Sequence, residues 1–251
     1  MKNFVLFSLC ALLFFAVAAN AASSYTLFYS GDFDLNNPNA DGLANENDAI
    51  VGGNPYGAAT YQNFTIAPYE GAILTHLWTN NLSQLTPTSG YWEIRKGIAE
   101  GNGGTLLASG TASGPNFTQT PTGRTCPPGS ICEGYTEYQD TVAIGTLGLS
   151  AGQYWFAVVP LCPTCQGRSF NSNTFGLNRR LEYFISTQDD LQYFNSAFFG
   201  YNFTNASNLY NPFPAFSGGV AGWEVPEPSS MILLGTGLVA TAGAARRRLL
   251  R

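Results

Sequence analysis

Apolar and polar residues alternate with a period of two in many short segments of this chain, and Gly, Asn and Pro punctuate the segments. Tyr25 to Tyr29 reads as a first strand, running into DFDLNNPNADGLANENDA, where eleven of eighteen residues are Asp, Asn, Glu or Gly. In ATYQNFTIA, Tyr61, Asn63 and Thr65 fall on one face, and Phe64 and Ile66 on the other. GAILTHLWTNNL is a further strand. GYWEIRKGI sets Trp92 and Ile94 against Glu93 and Arg95, AEGNGG turns the chain, and TLLASGTA returns it as a hairpin. GPNFTQTPTGRTCPPGSICEG reads as a Pro- and Cys-rich excursion and YTEYQDTVAI as a strand. Gly152 to Val159 is nearly continuously apolar, the pattern of a central strand covered on both faces. After the second cysteine loop, PLCPTCQG, come NTFGLNRRLEYFIS, a short helix over TQDDLQYFNS opened by Asp189-Asp190, AFFGYNFTNA, and a last strand in GGVAGWEV. Strands this short, joined by turn chemistry, predict an all-β fold, an antiparallel β-sandwich of jelly-roll type, and not βαβ units.

The two ends follow other rules. Lys2, the apolar run Phe4 to Ala19 and the small-x-small triplet ending at Ala21 describe a secretory signal peptide over residues 1–21, cut between Ala21 and Ala22. Residues 229–245 form an uncharged run long enough for a single transmembrane helix at the short end of the range, followed by Arg246, Arg247, Arg248 and Arg251. Arginines hold that end in the cytoplasm, so the expected precursor crosses the inner membrane once, with its body outside. The expected division is therefore 1–21, an ectodomain over 22–224, and a C-terminal signal over 225–251.

Removing the ends changes the charge. The whole chain carries a formal −5, but residues 22–225 hold six Lys and Arg against fifteen Asp and Glu, a net of −9. Such a body repels phosphates, which excludes nucleic acid as a partner. It suits neutral partners such as sugars, or Ca²⁺.

Four cysteines remain after the signal peptide: Cys126, Cys132, Cys162 and Cys165. In an exported chain an even count predicts two disulfides, with three connectivities open. A zinc site built from all four is the alternative. GLSAG at 148–152 matches G-x-S-x-G, but the serine precedes a strand and the only histidine, His76, lies upstream, so the match reads as a turn. Glu93, Glu137 and Asp140 supply carboxylates for glycoside hydrolysis, although no spacing singles out a pair. Trp78, Tyr91, Tyr154 and Trp155 are candidate sugar platforms. Asp32, Asp34 and Asn36 make the alternate-oxygen start of a Ca²⁺ loop, and Asp41-Gly42 gives it a turn. The helix–loop–helix version fails for want of a final Glu, leaving an extended Ca²⁺ loop or a solvated Asx-turn loop.

Pro226-Glu227-Pro228, the Gly-containing run from Met231 to Ala245 and the terminal arginines together resemble the PEP-CTERM sorting signal of Gram-negative bacteria. The resemblance implies processing by an exosortase, a membrane enzyme that cuts near the Pro-Glu-Pro triplet, and delivery to the cell surface, outer envelope or extracellular matrix. It also implies association with exopolysaccharide and biofilm. DGLANEND, ATYQNFTI, GGTLLASG and LSAGQYWFAVV are similar to β-sandwich ectodomains of such proteins, which carry no catalytic residues over to this chain. The expectation is a non-enzymatic surface protein without a cofactor. The alternatives are a Ca²⁺-dependent carbohydrate-binding module and a secreted polysaccharide hydrolase.

Overall fold

The computed structural model describes residues 24–36, 41–126, 128, 132–188, 191–209, 215–226 and 236. Thirteen strands account for most of them: β1 (Tyr25–Tyr29), β2 (Gly42–Ala44), β3 (Ala59–Ser83), β4 (Ser89–Lys96), β5 (Thr105–Ser113), β6 (Phe117–Thr125), β7 (Thr136–Leu161), β8 (Ser169–Ser172), β9 (Arg180–Leu181), β10 (Ile185–Ser186), β11 (Tyr193–Ser196), β12 (Tyr201–Asn205) and β13 (Gly218–Pro226). Every strand pairing among them is antiparallel, with the central order β5-β4-β7-β3-β13-β1-β9. The all-β, antiparallel expectation is met.

Two strands are far longer than the alternation suggested. GAILTHLWTNNL is not a separate strand but the second half of β3, and YTEYQDTVAI and LSAGQYWFAVV are two halves of β7. The halves of β3 are divided by a bulge between Ile66 and Gly71. Opposite it, Gly148 to Gly152 lies inside β7, with Ser150 across from Gly71, so the G-x-S-x-G segment is strand and not a turn. The bulge absorbs unpaired residues and bends the ladder, which lets the sheet fold back over itself.

The core records that folding. Phe64, Ile66, Ile94, Tyr154, Phe156 and Val158 from one limb meet Leu27, Leu74, Leu77, Val142 and Val220 from the other in one buried cluster. The Thr79 hydroxyl donates to the carbonyl of Val158 across the interior at 3.0 Å. Each fully buried Phe or Leu there contributes roughly 1.5–3 kcal/mol. The apolar run in β7 is explained by a second cluster on its other face: Trp155, Ala157 and Val159 pack with Tyr61, Tyr91, Tyr193 and Phe203. Alternate residues of one strand thus serve two apolar layers.

Other expectations need correction. The segment given to a helix contains β11, where Tyr193 and Phe194 pair with Tyr61 and Thr60. Burial of Tyr193 in the second cluster outweighs local helix propensity; Asp189 and Asp190 lie outside the described residues. The Pro- and Cys-rich excursion holds β6, which pairs with β7 from Val142 to Thr136. β13 is interior to the sheet, between β3 and β1, and continues two residues past the boundary expected at 224. Residues 1–21, Ala22, Glu227, Pro228 and the arginines 246–248 lie outside the described residues. Among the described residues no helix is long and apolar enough to cross a membrane, and the run expected to do so is, apart from Thr236, outside them.

Candidate functional site

An open groove of about 540 Å³ lies across the outer face of the sheet, lined from β1, β3, β6, β7, β9 and the segments beside them. The strand period sets its composition. Leu77 and Val142 point into the core, so their neighbours Trp78, Asn80 and Gln139 point outward into the groove. Trp78 and Tyr29 form its aromatic floor, with ring centroids 6.1 Å apart and planes tilted by 35°. Gly219 makes room for the indole: a Cβ there would come within 2.3 Å of the Trp78 ring. Trp78 is 8 % exposed, and its indole N–H has no acceptor among the described residues.

A charged network walls one side. The Arg124 guanidinium bonds the buried Glu137 carboxylate and lies 3.3 Å from Asp32 Oδ1. Glu137 also accepts from the hydroxyls of Thr122 (2.7 Å) and Ser172 (2.6 Å). Asp32 accepts from the Tyr29 hydroxyl at 2.5 Å and from Asn178 Nδ2 at 2.7 Å. Asn80 Nδ2 donates to the Tyr29 oxygen at 2.9 Å. Burial, and then the bond to Asp32, push the Tyr29 phenol well above its ordinary value, so it stays a donor. Burial works to lower the Arg124 pKa, but Glu137 and Asp32 raise it on balance, so the arginine stays charged. Cys126 is joined to Cys132 just beyond Arg124; this staples the β6–β7 connection at the groove's end.

The predicted site residues scatter. Of the four proposed platforms only Trp78 reaches the groove; Tyr154 belongs to the main core, and Tyr91 and Trp155 to the second cluster. Glu93, Glu137 and Asp140 occupy three separate environments. Glu93 is buried against Tyr61, Tyr91 and Arg95. Asp140 is buried, with Asn81 Nδ2 donating to it at 2.7 Å, and burial pushes its carboxyl up to about 7. Asp32 sits in the groove, whereas Asp34 receives the backbone N–H of Asn36 as an Asx turn at 3.0 Å. The backbone N–H of Asp41 donates to Asn173 Oδ1 at 2.9 Å. Among the described residues no group of three or more His, Cys, Asp or Glu side chains is placed to hold a metal ion. Cys162 pairs with Cys165, so both cysteine pairs are local. His76 is a strand residue whose Nδ1 lies 3.0 Å from the Thr75 hydroxyl.

Sequence reasoning missed Tyr29, Arg124 and Arg180 as groove residues. The period-two series Thr118, Thr120, Thr122, Arg124 was the available signal for a polar-faced strand.

The family model of the PEP-CTERM protein-sorting motif matches residues 224–248. The match begins inside β13, at Glu224 and Val225, which pair with Ala72 and Gly71 of β3. The motif is that of exported proteins processed by an exosortase. No curated protein and no solved structure matches the chain.

Proposed function

We propose that this is a non-enzymatic protein of the cell surface or extracellular matrix of a Gram-negative bacterium, which associates with exopolysaccharide in biofilm. In this reading its precursor is held in the inner membrane by the helix at 229–245 and released by an exosortase-type enzyme at Pro226-Glu227-Pro228. The observation that carries the polysaccharide role is the groove. An aromatic floor of Trp78 and Tyr29, ringed by Asn80, Gln139, Asn178 and threonine hydroxyls, offers what a sugar ring needs: a π face for its C–H groups and fixed polar groups for its hydroxyls. Glu93, Glu137 and Asp140 are held in separate environments, and the two carboxylates that do meet, Asp32 and the buried Glu137, are both engaged by Arg124, which favours binding over cleavage. Engagement of Asp32 by Arg124, Tyr29 and Asn178 favours binding without Ca²⁺.

The test uses the protein as the producing cells release it. Its intact mass ends between Pro226 and Pro228, since β13 is paired with β3 as far as Pro226 and a processing cleft must take the strip beyond it. It sediments with the cells' own exopolysaccharide, with or without EDTA. Mature protein that retains Arg251 overturns the sorting half, and protein that stays in the supernatant overturns the binding half.

A further inference from the structure

The groove holds two cations, and they differ. Arg124 is neutralised in place by Glu137 and Asp32. Arg180, on β9, is exposed, and among the described residues its side chain has no hydrogen bond or ion pair. Its backbone is fixed nonetheless: β9 pairs with β1, with Arg180 opposite Tyr29, and so stands beside the aromatic floor. Arg124 faces two carboxylates, so Arg180 brings the local formal charge from −1 to zero in a body of net −9, and its guanidinium is left without a partner among the described residues. Such a group meets an anion at little desolvation cost, and its planar fork matches a carboxylate with two parallel bonds.

We propose that the groove selects an acidic sugar, a pyranose bearing a carboxylate, with the ring over Trp78 and Tyr29 and the carboxylate on Arg180. The proposal rests on the polysaccharide reading above and adds the charge class of the ligand. Asn80 is itself buried and donates to Tyr29 at 2.9 Å and to Ser217 at 2.8 Å, while its oxygen accepts from Gln139 at 3.5 Å; it fixes the floor, and Gln139 is left to meet the ring hydroxyls. Repulsion of the ligand by Asp32 and Glu137 is reduced by Arg124, which contacts both, and Glu137 is in addition buried beneath hydroxyl donors.

Calorimetric titration of the released protein with three probes tests this: an oligogalacturonate, a neutral cello-oligosaccharide of equal length, and a sulfated dextran oligomer. The oligogalacturonate binds at least tenfold more tightly than the neutral probe and more tightly than the sulfated one. The preference shrinks as salt is raised from 50 to 500 mM, a range over which exposed charges are screened at shorter distances. Arg180→Gln abolishes the preference, bringing the oligogalacturonate to the affinity of the neutral probe on the same variant, and Arg180→Lys retains part of it, since a lysine keeps the charge but loses the fork. Equal binding of acidic and neutral probes, tightest binding of the sulfated probe, or an Arg180→Gln protein that keeps the preference overturns the inference and leaves the polysaccharide reading standing. Binding of no probe, with no sedimentation on exopolysaccharide, overturns both.

Discussion

The Glu93 cluster and the Asp32 cluster are assembled from the same parts, an arginine, a carboxylate and tyrosine hydroxyls, yet one is closed and the other open. Glu93 is 1 % exposed beneath Arg95, with Tyr61 and Tyr91 donating to it and Tyr56 bonded in turn to Tyr61 at 2.7 Å. Phe203 covers Arg95, whose guanidinium carbon lies 5.1 Å from the ring centroid. Asp32 and Arg124 keep 18 % and 23 % of their side-chain surface in the groove. In the closed cluster every group is consumed by another group, so its contribution is to stability. In the open one the same chemistry has faces left over for a ligand. Residue type does not separate them; the layer of β11, β12 and the β4–β5 loop over one of them does.

The sharpest way to break the comparison is to remove the closed carboxylate. Glu93→Ala leaves a half-buried arginine and the hydroxyls of Tyr61 and Tyr91 without their acceptor, and the expected loss of unfolding free energy is about 3–5 kcal/mol. Urea titration reads it directly. A loss below about 1 kcal/mol means that water enters the cluster and that it is not closed.

Asp140 gives the next largest effect, through pH. Its folded carboxyl titrates near 7, well above the ordinary 3.8, because burial removes its solvation; the bonds from its neighbours offset this only in part. The folded state therefore favours the proton. The stabilisation is complete below pH 4 and is lost as the pH rises through about 7. Asp140→Asn keeps a similar shape and cannot ionise, so the difference between variant and native protein grows across that window. It reaches on the order of 4 kcal/mol above pH 7 if the whole shift is realised. Urea midpoints at pH 4.0 and 7.5 decide the matter; parallel behaviour of the two proteins removes Asp140 as the source.

Arg124 tests the open cluster. Its removal leaves the buried Glu137 with only hydroxyl donors, at an expected cost of about 1–3 kcal/mol. Arg124→Gln also frees Asp32 to repel an acidic sugar, so thermal stability and uronate affinity fall together. A fall in stability alone separates the network from the ligand.

How much of this was readable in the sequence follows the range of the interactions. The Tyr25–Tyr29 strand, the β4–β5 hairpin and the doubly buried run in β7 are set by neighbours a few residues apart, and alternation reveals them. Asp32 was visible only as one oxygen in a local series, and that spacing suggested Ca²⁺. Its actual partner is Arg124, brought to it by β6 pairing with β7, β7 with β3 and β3 with β13. β11 was mistaken for helix for the same reason, because what fixes it is Tyr61 of β3 and not its own composition. Chain-end signals needed no fold, which is why the sorting motif was the most legible feature.

The smallest structural effect belongs to Arg180, and its smallness is what makes it useful. An exposed arginine with no partner among the described residues loses nothing buried when it is replaced, so Arg180→Gln shifts stability by less than about 0.5 kcal/mol. The closed cluster has no such position, since each of its polar groups is bonded to another. A variant that melts with the native protein yet loses its preference for an acidic sugar assigns the loss to contact with the ligand. If Arg180→Gln instead lowers the melting temperature by several degrees, the guanidinium is engaged within the fold. The groove then joins the closed cluster as structure, and the contrast between the two regions disappears.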